Sequence, residues 1–302
     1  MTTLGRHLVL VGSTASGKSA LALELARRLG DVELVSADSM QVYRGMDVGT
    51  AKATPAEQAE VPHHLLDVAD PEEDYSVARF QADVDEVIAG IEARDRRALV
   101  VGGTGLYVQA VVDGLALPGG WPALKAELEA EPPGELHRRL RRLDPLAASR
   151  IEPGNARRLV RALEVTLGSG RPFSSFGPGL GAYPPSRRFR LAGVWLPRPV
   201  LADRIEARYR QQLAAGFLAE VRRLQTRMSR TARQALGYKE LLAHVAGDCT
   251  LEEAVAAAVS RTREFARRQR AWFRRDPRIT WLGAPANPLD LLPALLGDWA
   301  PS

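Results

Sequence analysis

Residues 12–19 read GSTASGKS and follow a short apolar run, HLVLV. Gly12, Gly17, Lys18 and Ser19 fill the spacing G-x-x-x-x-G-K-[ST] of a phosphate-cradling loop. Such a loop works only between a buried strand and a helix. The glycines let backbone N–H groups converge on phosphate oxygens, and the helix N-terminus adds partial positive charge. The flanks agree: Leu21, Leu25 and Leu29 recur four apart in GKSALALELARRL, an amphipathic helix that stops at Gly30.

The same grammar recurs. VELVSADS reads as a second strand with a polar end, residues 76–93 have helical periodicity, and ALVVGGTGLY is again strand, glycine turn and helix. Strand and helix in alternation imply a parallel sheet covered by helices, with ligands at the C-terminal ends of its strands. The pattern changes near LALPGGWP. Residues 123–170 read as helices, a Gly/Pro/Ser-rich loop occupies 168–186, RLAGVWL returns to the sheet, and the chain is then mostly helical to about residue 275. The expected fold is an α/β P-loop core over 1–117 and 188–302, with a small all-helical insertion over 118–187.

The loop alone suggests ATP or GTP. Lys18 can bridge terminal phosphates, and Ser19 can ligate magnesium. A GTPase would carry N-K-x-D, which is missing here; a small-molecule kinase stays open. Asp38 closes LVSAD, where it can serve as a general base, a magnesium ligand or a cap on the following helix. Asp47 reads as a turn or helix cap. His63 and His64 are adjacent and project apart, which favours separate structural hydrogen bonds over a shared metal site. The single cysteine, Cys249, excludes an internal disulfide framework and a cysteine metal cluster. No apolar run is long enough to span a bilayer and no signal peptide is seen, so a cytoplasmic protein is expected.

These segments together resemble the tRNA dimethylallyltransferase (tRNA isopentenyltransferase) family in its bacterial form, without a C-terminal zinc-finger extension. GSTASGKS is similar to that family's GPTASGKT. SADSMQVYRGMDVGTAK (36–52), PHHLLD (62–67), GGTGLY (102–107), DPLAASRIEPGNARRLVRALEV (144–165) and QALGYKE (234–240) are similar to further family segments. The resemblance implies transfer of a dimethylallyl group from dimethylallyl diphosphate to N6 of adenosine 37, beside the tRNA anticodon, with release of diphosphate. It implies that Gly12, Ser13, Thr14, Ala15, Ser16, Gly17, Lys18 and Ser19 hold the diphosphate with a magnesium ion on Ser19. Asp38, Lys18 and Thr104 become catalytic. Asp38, Ser39, Met40, Gln41 and Thr104 meet a flipped base, and Lys125, Arg157, Arg158, Leu159, Val160 and Arg161 contact the anticodon stem-loop. A monomer needs no further assumption. Gln234 stands where some members have Arg, so an arginine role is not carried to it; Arg233 is a neighbouring substitute.

Charge placement has two readings. Residues 135–171 hold nine arginines against four acidic residues, and 261–278 hold eight against two. Arg263, Arg267, Arg270 and Arg274 share one helix face. Either run can be a solvated face, and an RNA substrate would give both a purpose. Trp272 and Phe273 read as helix packing more than as stacking platforms. A non-catalytic RNA-binding protein with a relict loop is the third class of function.

Overall fold

The protein is described by a computed structural model over residues 5–177, 179–186 and 188–299. Its sheet has six parallel strands: β1 His7–Gly12, β2 Val32–Ala37, β3 His63–His64, β4 Arg97–Gly102, β5 Phe189–Trp195 and β6 Ile279–Gly283. Their spatial order is β3-β2-β4-β1-β5-β6. β1 is buried along its whole length, as a central parallel strand should be. Its side chains alternate between two cores. Val9 and Val11 join Val35, Val100, Phe80 and Ile88 on one face. Leu8 and Leu10 join Leu34, Leu99, Leu21 and Leu25 on the other.

The helix Lys18–Leu29 follows β1 as expected and ends at Gly30, whose φ of 73° and N–H bond to the Ala26 carbonyl form a left-handed cap. β3 and β6 were not legible in the sequence. β3 is two residues long, and β6 is a short run that only pairing with β5 makes a strand.

The chain divides into two compact units, Met1–Asp113 with Pro184–Ser302, and Gly114–Tyr183. The smaller unit begins where the helix Gly105–Asp113 ends, earlier than the expected residue 118; the other expected boundary, residue 187, lies outside the described residues. The smaller unit is helical and has its own core of Leu128, Leu136, Leu140, Leu159, Val160 and Leu163. Asp144, almost fully buried, caps a helix there through Ala147 N–H at 3.0 Å and accepts from the Ser174 N–H at 2.7 Å. Among the described residues, no helix is long and apolar enough to cross a membrane.

The segment after β2 lacks regular structure but is strapped in place. Glu220, 3% exposed, accepts the N–H groups of Asp47, Val48 and Gly49 at 3.0, 2.9 and 3.0 Å and the Tyr238 hydroxyl at 2.5 Å. Gln212 donates to the Val48 and Gly49 carbonyls at 2.7 and 3.0 Å. Lys52 donates to the Tyr43 carbonyl at 2.8 Å and pairs with Asp47 and Asp67, each at 2.6 Å. Asp47 is therefore an ion-pair partner of Lys52, not the cap expected from the sequence. Its carboxylate pairs with Lys52, and the loop's amides are capped by Glu220 instead. Removing Glu220 strands three amides and a phenol. Glu220→Ala should cost about 3 kcal/mol or more in urea unfolding of the full chain; an unchanged midpoint would contradict this account of the strap.

Candidate functional site

Three neighbouring strands, β2, β4 and β1, end side by side at Ala37, Gly102 and Gly12. Asp38, the Gly103–Thr104 turn and the phosphate loop therefore emerge together at the C-terminal edge of the sheet, the ligand edge of such folds. Close approach requires glycine here. A Cβ on Gly102 would lie 2.4 Å from the Ala37 carbonyl oxygen.

The loop adopts the alternating backbone that makes an anion nest. Ala15 and Gly17 have φ of 61° and 81°. Ser13 and Ser16 are buried, and Ser16 N–H bonds the Ser13 carbonyl at 3.2 Å. Their side chains are withdrawn from solvent, and the Ser16 N–H is already committed to the Ser13 carbonyl. The Thr14 N–H donates to Gln269 Oε1 at 2.8 Å, while Gln269 Nε2 donates to the Gly103 carbonyl at 2.8 Å. One buried amide thus joins the phosphate loop to the Thr104 turn. Arg204 Nε donates to the Ala15 carbonyl at 2.8 Å, and Arg208 donates to Thr14 Oγ1 at 3.0 Å.

Lys18 and Arg208 sit close enough to feel each other and share one acidic neighbour. Desolvation lowers the pKa of Lys18 below the ordinary lysine value; Asp38 opposes the shift and Arg208 adds to it. Arg208 is lowered too, by desolvation first, with Asp38 again opposing. Two desolvated cations against one carboxylate leave an excess of positive charge, which an anion would neutralise.

Asp38 Oδ1 accepts from the Met40 N–H at 2.9 Å. One oxygen is thus a turn cap, and Oδ2 has no hydrogen-bond partner among the described residues. Thr104 Oγ1 accepts from the Ser39 N–H at 3.3 Å and donates to Ser39 Oγ at 3.4 Å, which links the two strand ends. Gln41 is committed within its own loop. Its Oε1 accepts from Ser36 at 2.9 Å, and its Nε2 donates to the Thr50 and Ala51 carbonyls at 3.2 and 3.3 Å. Met40 is half-buried against the core. His63 and His64 make separate hydrogen bonds, to the Val61 carbonyl and to Glu33.

The helical unit carries the other expected site residues. Arg157, Arg158 and Lys125 are exposed, Lys125 beside Glu129 at 3.9 Å. Leu159 and Val160 correct the expectation: both side chains are buried in that unit's core because their spacing places them on the inner helix face. Arg161, its side chain 39% exposed, donates to the Gly119 and Pro118 carbonyls and to Glu164. Phe273 is buried and Trp272 packs where a Gly105 Cβ would need to be, so both are packing residues.

Gln269, Arg204 and Arg208 were missed in the sequence. Gln269 lies in a basic run, ARRQRAW, and meets Thr14 across 255 residues. The one available signal was the spacing of Arg204 and Arg208, which puts both on one helix face.

The donors fit magnesium only in part. Ser19 offers an exposed hydroxyl and Asp38 a free oxygen, both hard donors of the kind magnesium prefers. Among the described residues, no three His, Cys, Asp or Glu side chains converge. The chain can therefore contribute one or two oxygens to an ion that phosphates otherwise hold, and it builds no cage.

Known proteins resemble this chain in sequence and fold. Residues 41–276 match the IPP transferase family and residues 6–69 match the isopentenyl transferase family. The tRNA dimethylallyltransferase of Streptomyces coelicolor is 48% identical, covering 96% of this chain and 94% of its own. The crystal structure of a Bacillus halodurans tRNA isopentenylpyrophosphate transferase superposes with a TM-score of 0.70 at 38% identity, covering 97% of both chains. A eukaryotic dimethylallyltransferase solved acting on tRNA superposes with a TM-score of 0.77 at 26% identity, covering 92% of this chain and 74% of that one.

The lowered Lys18 pKa sets a pH dependence. An anion binds the protonated lysine, so affinity for inorganic diphosphate should fall as pH rises through the lowered value, earlier than an ordinary lysine would allow. Lys18→Arg keeps its charge and should hold its affinity further into alkali in calorimetric titrations. Identical pH profiles for the two proteins would contradict the assignment.

Proposed function

The chain belongs to the tRNA dimethylallyltransferase family, and from that premise we propose how its own residues carry out the transfer. The donor is dimethylallyl diphosphate and the acceptor is N6 of adenosine 37, next to the anticodon. The observation that carries the reading is the cationic pair Lys18 and Arg208 set against Asp38 at the edge of a phosphate loop.

The diphosphate occupies the loop, its oxygens facing the N–H groups that remain available and the Lys18 and Arg208 charges. N6 attacks the allylic carbon, the carbon–oxygen bond breaks, and its electron pair leaves with the diphosphate. The fixed cations stabilise the charge that develops there, which is the main electrostatic gain. The N6 proton passes to Asp38 Oδ2. Thr104, bonded to Ser39, holds the two strand ends around the reacting nitrogen. The Ser19 hydroxyl would help hold a magnesium ion, which would supply further charge neutralisation of the leaving group. The target base must leave its stack to reach this edge, at a cost of a few kcal/mol that contacts to the base and the RNA backbone offset. Ser39 and Met40 stand beside Asp38 for that purpose. Arg157, Arg158 and Lys125 supply exposed cations for the RNA backbone of the stem-loop. The chain works as a monomer in the cytoplasm.

A phosphoryl-transfer kinase draws no support from relatives such as the tRNA dimethylallyltransferases of Streptomyces coelicolor and Geobacter metallireducens or from the IPP transferase family match. With labelled dimethylallyl diphosphate, magnesium and tRNA, Asp38→Ala should transfer label roughly 100-fold or more slowly than wild type, with tRNA affinity retained. Wild-type turnover in that variant would refute the assigned base. Failure of the wild-type protein to label tRNA would refute the activity.

A further inference from the structure

β5 ends in an unusual residue. Val194 pairs with Gly12, the first residue of the phosphate loop, and the next residue, Trp195, is 37% exposed. The Arg270 guanidinium lies over its ring, 4.8 Å from the centroid. Arg198, exposed, opens the helix that follows β5, and Arg274 is exposed one turn beyond Arg270. Neither Arg198, Arg270 nor Arg274 forms an ion pair among the described residues. Other arginines of the helix Leu251–Phe273 are matched instead: Arg263 with Glu206, Arg267 and Arg268 with Glu264, and Arg261 with Glu240.

The arginine run is therefore divided. Arg261, Arg263, Arg267 and Arg268 each have an acidic partner. The members near Trp195 repel one another without a counter-charge: Arg270 has its pKa lowered by desolvation first and then by Arg198 and Arg274. Three unneutralised guanidinium groups around an exposed indole are costly unless an anionic partner with a flat face arrives. Nucleic acid has both, and arginine with an aromatic platform is the chemistry of single-stranded RNA contacts.

We infer that Trp195, Arg198, Arg270 and Arg274 form an RNA-docking surface, with an unpaired base of the tRNA stacked on Trp195 and backbone phosphates held by Arg198 and Arg274. This deepens the proposed function, since it rests on tRNA being the substrate and names where on the core unit the RNA is gripped. It also gives the cation–π pair a purpose: Arg270, lying over one face of the indole, fixes its orientation.

The test measures binding of unmodified tRNA over a range of salt concentrations, with binding of inorganic diphosphate as a check on folding and on the phosphate loop. The double substitution Arg198→Gln/Arg274→Gln should lower the slope of log Kd against log salt by about 1–2, as loss of one or two phosphate contacts requires. Trp195→Ala should weaken tRNA binding about 10-fold or more with little change in slope, and Trp195→Phe should recover part of the loss. Diphosphate affinity should be unchanged in all three. If wild type binds and modifies tRNA while all three variants match it, this surface is refuted and the proposed function stands. If the variants lose diphosphate affinity and keep tRNA affinity, the surface belongs to the donor site and the inference is overturned. If wild type itself shows no salt-dependent tRNA binding, both readings fail.

Discussion

The site depends on one buried side-chain amide. Gln269 accepts from Thr14 N–H and donates to the Gly103 carbonyl, each at 2.8 Å, and so fixes the distance between the phosphate loop and the turn that bears Thr104. Gly103 has no side chain because a Cβ there would stand 2.3 Å from the same amide. Thr104 then reaches Ser39 beside Asp38. Three loops from three strands are in this way made into one body. The reacting groups can be held to a fraction of an ångström, which transfer between two bound substrates requires.

Around that frame the electrostatics are unbalanced by design. In water, two cations and a carboxylate would each be hydrated and nearly independent. At an effective dielectric of about 20, unit charges about 4 Å apart interact by about 4 kcal/mol. A leaving diphosphate gains negative charge just as its bond breaks, so cations already desolvated and already fixed stabilise it without reorganisation. The same logic explains why Asp38 spends only one oxygen on the Met40 amide. The capped oxygen orients the carboxylate, and the other has no hydrogen-bond partner among the described residues.

The core was legible in the sequence, because its information is local. HLVLV, GSTASGKS and the spacing of Leu21, Leu25 and Leu29 specify strand, nest and helix without reference to anything distant. Asp38 and Thr104 were legible as loop residues at strand ends. The sequence could not show which partners brace those loops. Gln269, Arg208, Glu220 and Gln212 act across large sequence separations, and each sits in a stretch that reads as an ordinary charged helix. Leu159 and Val160 went in the opposite way: a matching segment suggested RNA contact, while helical spacing turns both side chains inward. β6 was lost because five residues carry little periodic signal apart from their pairing with β5.

The central claim is that this phosphate loop grips a diphosphate that departs, and not the tail of a nucleoside triphosphate. Product analysis tests it most directly. tRNA reacted with dimethylallyl diphosphate and magnesium, with ATP omitted, would be digested to nucleosides for mass spectrometry while released diphosphate is counted. The account predicts one diphosphate released for each N6-dimethylallyl adenosine formed, at position 37. A requirement for ATP, a phosphorylated product, or prenylation without matching release of diphosphate would contradict it.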